Sequence, residues 1–137
     1  MRVALELAMP SDVRHIEDVV EQVRQVYADL RVPERHLAFA VPVALTEALS
    51  NAVLYGNAAH GERQVRIRAG VDDHALILEV TDDGDGFDLE ACTADPTRPE
   101  NLEREDGRGL FLMRRLMDRV ERFTDHGNVV RLTLHRV

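Results

Sequence analysis

The chain has no lysine: its 17 basic residues are all arginine. A Walker P-loop ends in Gly-Lys-Ser/Thr, so that route to a polyphosphate is closed. An anion site here has to be built from backbone N–H groups, helix N-termini and a divalent cation. Cysteine is nearly missing as well. Cys92 stands alone, which excludes an intrachain disulfide and a cysteine-rich zinc site and fits a reducing compartment. Positive charge is in short supply, with a formal net charge of −8, which argues against direct nucleic-acid binding because phosphate neutralisation needs a basic surface. No uninterrupted apolar run approaches the roughly 18 residues of a membrane helix, so no membrane span is expected. The N-terminus "MRVALELAMPSD" has one arginine and a short apolar alternation that breaks at Pro10 and Asp12, too short and too polar for a signal peptide. A cytoplasmic protein is the expectation.

What is present is enough for a single domain spanning 1–137. A chain of 137 residues buries roughly two-thirds of its unfolded surface without disulfides or metals. In "VALEL", Val3, Leu5 and Leu7 alternate with Ala4 and Glu6 as a short strand that Pro10 ends. Ser11 is placed to cap a following helix, in which Val13, Ile16, Val19, Val20, Val23, Tyr27 and Leu30 recur at helical spacing. A second helix is expected from near Pro33 to a stop at Gly56, with a kink or a delayed start at Pro42. "QVRIRAG" and "ALILEVT" alternate around "VDDH" as a β-hairpin. From Asp88 to Arg108 apolar periodicity is weak, and a loop of that length inside a compact domain is usually functional. "GLFLMRRLMD" resumes a helix, and "RVERFT" with "NVVRLTLHRV" closes the chain as a second hairpin about His126 and Gly127. The order β-α-α-β-β-flap-α-β-β predicts an α+β, two-layer α/β sandwich, a mixed or antiparallel sheet with helices on one face.

Three polar features interrupt this pattern. Glu47 and Asn51 lie four apart in the apolar helix "TEALSNAVLYGN" and so share a face. An acid beside a neutral amide makes a general-base and metal-ligand pair; the plainer alternative is a pair of solvent-facing polar residues. In "TDDGDGFD", Asp82, Gly84 and Gly86 form D-x-G-x-G at a strand end, where glycines let backbone approach a flat ligand. An acidic turn, or a calcium loop using the crowded aspartates, are the other readings of those residues. In "EDGRGLFLM", Gly107 and Gly109 flank Arg108 before a helix, offering N–H groups and the positive end of the helix dipole to an anion.

The order of the three features is more specific than any one of them. E-x-x-x-N on a helix, D-x-G-x-G after a strand, a flap, then G-x-G-L opening a helix resembles the GHKL superfamily of ATP-binding domains. The spacings are similar to its small stand-alone branch, the anti-sigma factor serine/threonine kinases of bacterial partner switching. "EALSNAVLYGN", "DDGDGFD" and "GRGLFLMRRLMD" look like that branch's N, G1 and G2 boxes, and the resemblance runs from the first strand to the last. It implies a Bergerat-type ATP-binding fold with an ATP lid over about 88–108. It also implies that Asn51 coordinates the Mg²⁺ bridging the ATP phosphates and that Glu47 is the catalytic base. Asp82 would accept a hydrogen bond from the adenine amino group, Gly84 and Gly86 would leave room for the base, and Gly107, Arg108, Gly109 and Leu110 would meet the phosphates.

The implied function is an ATP- and Mg²⁺-dependent protein serine/threonine kinase that binds a sigma factor and phosphorylates a STAS-type anti-anti-sigma antagonist. Two alternatives share the fold: an ATP-binding switch module without phosphotransfer, and a kinase of another two-partner switch. Many relatives dimerise, and an exposed sheet face or edge permits a homodimer. The sequence departs from the resemblance at Asn128, where many relatives carry Thr beside adenine. It also lacks a phosphoacceptor-histidine helix and an "FxPF" box, which removes the histidine-kinase reading. The six histidines are scattered without metal-ligand spacing.

Overall fold

The computed structural model describes residues 1–57, 63–83 and 105–136, with residues 105–110 as backbone only. Among the described residues five strands form one sheet: β1 (Arg2–Pro10), β2 (Gln64–Val71), β3 (Ala75–Asp82), β4 (Arg119–Thr124) and β5 (Asn128–His135). Their order is β1-β2-β3-β5-β4, and every described pairing is antiparallel. The expected α+β sandwich is therefore present, in its antiparallel form. The period-2 pattern decides which face packs. Val65, Ile67 and Ala69 of β2 are buried while Arg66 and Arg68 between them are exposed. The opposite face of the sheet carries charge: Glu79, 7% exposed, accepts from Arg131 Nε and Nη2 at 3.0 and 2.9 Å, and Arg131 lies 4.6 Å over the Phe123 ring.

Helix α1 (Ile16–Asp29) follows a 3₁₀ turn at Val13–His15. The residue that caps the turn is Asp12, whose carboxylate accepts from Arg14 N at 2.9 Å, and not Ser11 as the sequence implies. Ser11 is 3% exposed, and its hydroxyl is engaged by Asn57 Nδ2 at 3.1 Å, so it is committed to the interior and the next polar residue takes the cap. Val19, Val20, Val23 and Tyr27 form the buried stripe of α1. Tyr27 Oη reaches across to Gly70 O at 3.0 Å and Ile77 O at 3.2 Å, the carbonyls of two residues paired between β2 and β3. Burial holds the Tyr27 phenol well above its ordinary range.

The central helical segment runs His36–Gly56, and its middle is α2 (Val41–Asn51). Helical backbone begins at Glu34, directly after Pro33 as the sequence implies, and the start is not delayed to Pro42. Instead a π turn, His36–Ala40, precedes α2, with Val41 N–H bonded to His36 O. Pro42 falls in the first turn of α2, directly after that π turn and inside the longer helical segment. A second π turn, Ala52–Gly56, ends the segment, with Asn57 N–H donating to Ala52 O at 2.7 Å. By length and composition, mean hydropathy 1.6, this helix could cross a membrane. The expectation from uninterrupted runs misses that because Glu47, Asn51 and other polar residues break the run. Half of the apolar window is buried inside the domain, as a core helix is.

Helix α3 covers Glu105–Leu116, and Met113 at 0% and Met117 at 6% exposure seat that end of the chain in the core. Its start lies four residues before Gly109, where the sequence places it. Glycine within a helix costs only about 1 kcal/mol per residue, so Gly107 and Gly109 do not prevent the earlier start.

Tyr27 should contribute to stability through its hydroxyl alone. Tyr27→Phe keeps the ring and is expected to lower the unfolding free energy by about 1–2 kcal/mol. Urea unfolding should show a lower midpoint with an unchanged slope.

Candidate functional site

The site forms where one end of the sheet meets the C-terminal end of the central helix. Asp82, the last residue of β3, is 2% exposed and pairs in register with Val65 on one side and Asn128 on the other. Two glycines close on it. A Cβ added to Gly56 would stand 2.2 Å from Asp82 Oδ2, and one added to Gly127 would stand 2.7 Å from the Asp82 carbonyl oxygen. Neither position admits a side chain without displacing Asp82 or its neighbours. Gly127 has φ 134 and follows His126 at φ 54, a left-handed pair that glycine relieves. Gly56 was legible only as a helix stop. Its role against Asp82 depends on a contact between residues 26 positions apart in the sequence.

Asn57 fixes that junction. It is 0% exposed, and its Nδ2 donates to Ser11 Oγ at 3.1 Å and to Gln64 O at 3.0 Å. Its Oδ1 accepts from Asp83 N at 2.9 Å. One side chain thus ties the helix end to the start of the α1 segment, to β2 and to the backbone just after Asp82. Sequence reasoning did not single it out, although a carboxamide directly after a helix-ending glycine is a usable signal. On the other flank, Asn128 Nδ2 donates to Asp82 Oδ1 at 3.1 Å. Arg122 Nη2 in turn donates to Asn128 Oδ1 at 3.4 Å.

Glu47 and Asn51 both lie in α2, one turn apart on one side, as the spacing required. Glu47 is partly exposed. Asn51 is 3% exposed, and its Nδ2 has no hydrogen-bond partner among the described residues. A buried carboxamide nitrogen without a partner is costly, so an enclosed site is where Asn51 has to be accounted for. Gly56 follows Asn51 by little more than one turn, so the contact at Gly56 carries the Asn51 end of the helix to Asp82. Gly84 and Gly86 lie outside the described residues, as does the segment expected to be a lid except for 105–108. Gly107, Arg108, Gly109 and Leu110 fall within α3. The first-turn N–H groups of a helix have no partner inside it, and Gly107 and Arg108 stand at that end. Among the described residues no group of three or more His, Cys, Asp or Glu side chains could hold a metal.

Residues 9–134 match the histidine kinase-like ATPase domain family. The chain belongs to that family. Among its relatives, the serine-protein kinase RsbW of Bacillus velezensis is 33% identical over 96 residues, which are 66% of this chain and 60% of that protein. RsbW of Bacillus subtilis is 36% identical over 92 residues, 64% and 57% of the two chains. The anti-sigma F factor of Bacillus subtilis is 33% identical over 100 residues, 69% and 67%. The match spans about 60% of the length of the first of these kinases. Of solved structures, the RsbU and RsbW domains of a Mycobacterium tuberculosis protein superpose with a TM-score of 0.65 at 18% identity, over 95% of this chain and 32% of that one. The Pseudomonas aeruginosa SiaB–SiaC complex gives 0.60 at 18% identity, over 97% and 90%. Both likenesses concern the fold.

If the helix end and the strand end depend on a glycine, Gly56→Ala should be felt at once. It is expected to displace the Asp82 carboxylate, break its bond to Asn128 and cost roughly 1–3 kcal/mol of stability. Denaturant unfolding checks the cost; a wild-type midpoint would mean that Gly56 and Asp82 are not in contact.

Proposed function

We propose that this chain is an ATP-dependent protein serine/threonine kinase of the partner-switching type, acting as an anti-sigma factor and phosphorylating a STAS-type anti-anti-sigma antagonist. The observation that carries the reading is α2, whose one face holds Glu47 one turn from a buried Asn51 whose amide nitrogen is unpartnered among the described residues. The names of the relatives, serine-protein kinase and anti-sigma factor, support it. The sigma factor and the antagonist belong to this reading alone, as does a homodimer.

The residues fit a nucleotide with its cation. Asp82 is the acceptor for the adenine amino group, which selects adenine over guanine because guanine places a carbonyl there. Gly84 and Gly86 give the base room. Gly107 and Arg108 meet the phosphates through first-turn N–H groups and the helix dipole, with Gly109 and Leu110 following directly behind them in α3. Asn51 offers Mg²⁺ a hard carbonyl oxygen that adds no negative charge next to the triphosphate. Mg²⁺ is suited to such a site because it takes few protein ligands and shares its coordination with phosphates and water. When bound, it would supply charge neutralisation to a chain that has no lysine to give.

Transfer would run in line. The antagonist's serine hydroxyl oxygen bonds to the γ-phosphorus, the bond from that phosphorus to the β,γ-bridging oxygen breaks, and ADP leaves. The serine proton passes to Glu47, which stands partly exposed on α2 and would act as the general base.

Glu47→Gln should bind ATP as well as the wild type but transfer phosphate roughly 10²–10⁴-fold more slowly, the usual worth of a positioned base. Asn51→Ala should weaken Mg-ATP binding itself. Transfer of labelled γ-phosphate to a STAS-type partner, with nucleotide affinity measured in parallel, separates the two effects. Wild type that binds ATP and partner yet transfers nothing, or a Glu47→Gln variant that transfers at the wild-type rate, would replace the kinase by a switch module.

A further inference from the structure

Arg122 is the unexplained charge in this fold. In β4, Val120 and Arg122 take alternate positions to Glu121 and Phe123, and Arg122 pairs with Val130, which is 5% exposed and part of the core. Arg122 therefore projects to the face of the sheet that the helices cover, a position where an apolar residue is the rule. Its Nε is enclosed and has no acceptor among the described residues. The described polar contact that it makes is with Asn128 Oδ1, at 3.4 Å.

Asn128 has one donor end and one acceptor end. The donor end, Nδ2, meets Asp82 Oδ1 at 3.1 Å, and the acceptor end meets Arg122. The three side chains stand on adjacent strands, β4, β5 and β3, and form a directed chain from guanidinium through amide to carboxylate. A cation at the acceptor end opposes any flip of the amide, because a flip would bring N–H against N–H at Arg122 and oxygen against oxygen at Asp82. The plane of the Asp82 carboxylate is fixed in turn by the N–H it accepts.

We infer that Arg122 is a positioning residue that, acting through Asn128, sets the orientation of Asp82 and thereby the choice between a 6-amino and a 6-oxo purine. The inference rests on the assignment of Asp82 to the adenine amino group under the proposed function. A charge on the covered face is tolerated because it does this work, and the role is distinct from phosphate binding or proton transfer.

The measurement is calorimetric affinity for Mg-ATP and Mg-ITP, which differ at the 6-position of the purine, for wild type, Arg122→Gln, Asn128→Leu and the double variant. Wild type should prefer ATP by tenfold or more, as expected for a buried donor meeting its acceptor. Each single variant should lose roughly 3–10-fold in ATP affinity with little change for ITP. The double variant should lose no more than the worse single one, since both break the same chain. A preserved ATP:ITP ratio in Arg122→Gln, an equal loss for both nucleotides, or additive losses in the double variant would each overturn the role. Should Arg122→Gln fail to fold, Arg122→Met keeps the apolar contacts of the stem; failure of both would make the guanidinium structural and overturn the role as well. A different result marks failure of the adenine assignment itself: a wild type indifferent to the 6-position, or an Asp82→Asn variant with the wild-type ratio.

Discussion

The close approach of Asp82 to Gly56 is the contact on which the rest of the site depends. A carboxylate at 2% exposure needs donors around it, because burial without them is expensive. The fold brings donors and space together from separate parts of the chain. Gly56 gives the space, Asn128 gives a donor, and Asn57 holds the helix end by binding the amide of Asp83. Gly127 permits the last hairpin to close over the Asp82 carbonyl. Each of these is a backbone approach or a directional bond, and none tolerates a slip of register: moving β3 by one residue would turn Asp82 to the opposite face of the sheet.

The central helix serves the core and the site at once. Val41, Ala44, Leu45, Ala48 and Leu49 are buried along it, while Glu47 and Asn51 leave the apolar stripe on one side. The π turn that follows Asn51 matters for geometry. Residues five apart stand roughly 140° around a regular α-helix, and the wider i→i+5 turn reduces that angle. It therefore brings Gly56, which meets Asp82, closer to the side that carries Asn51. The upstream π turn lies directly before Pro42, so the proline enters where the backbone bonding changes from i→i+5 to regular α-helix. Both departures from regular helix flank the segment with the chemistry.

Much of the architecture follows from local pattern. Alternation in "QVRIRAG" and "ALILEVT", the turn residues between them, and the glycine of the last hairpin are enough to write β2, β3 and the β4–β5 hairpin, because a half-buried strand must alternate and a tight turn must relieve positive φ. Glu47, Asn51 and Asp82 were legible because each is polar in an apolar run. The cap at Asp12 was not, since Ser11 is as good a cap by type and lost the role only to a partner, Asn57, far along the chain.

The sequence by itself determined the order of elements, the buried face of each strand and the set of polar residues that break the pattern, because these rest on periods of 2 and 3.6 and on residue chemistry. Tertiary structure alone decided which of those residues meet. That Gly56 is a seat for Asp82 as well as a helix stop, that Asn57 ties three elements, and that Arg122 reaches Asn128 on the covered face all depend on contacts between residues distant in sequence or on strand register. No local propensity encodes them; only the packed sheet and helix bring those atoms within bonding distance.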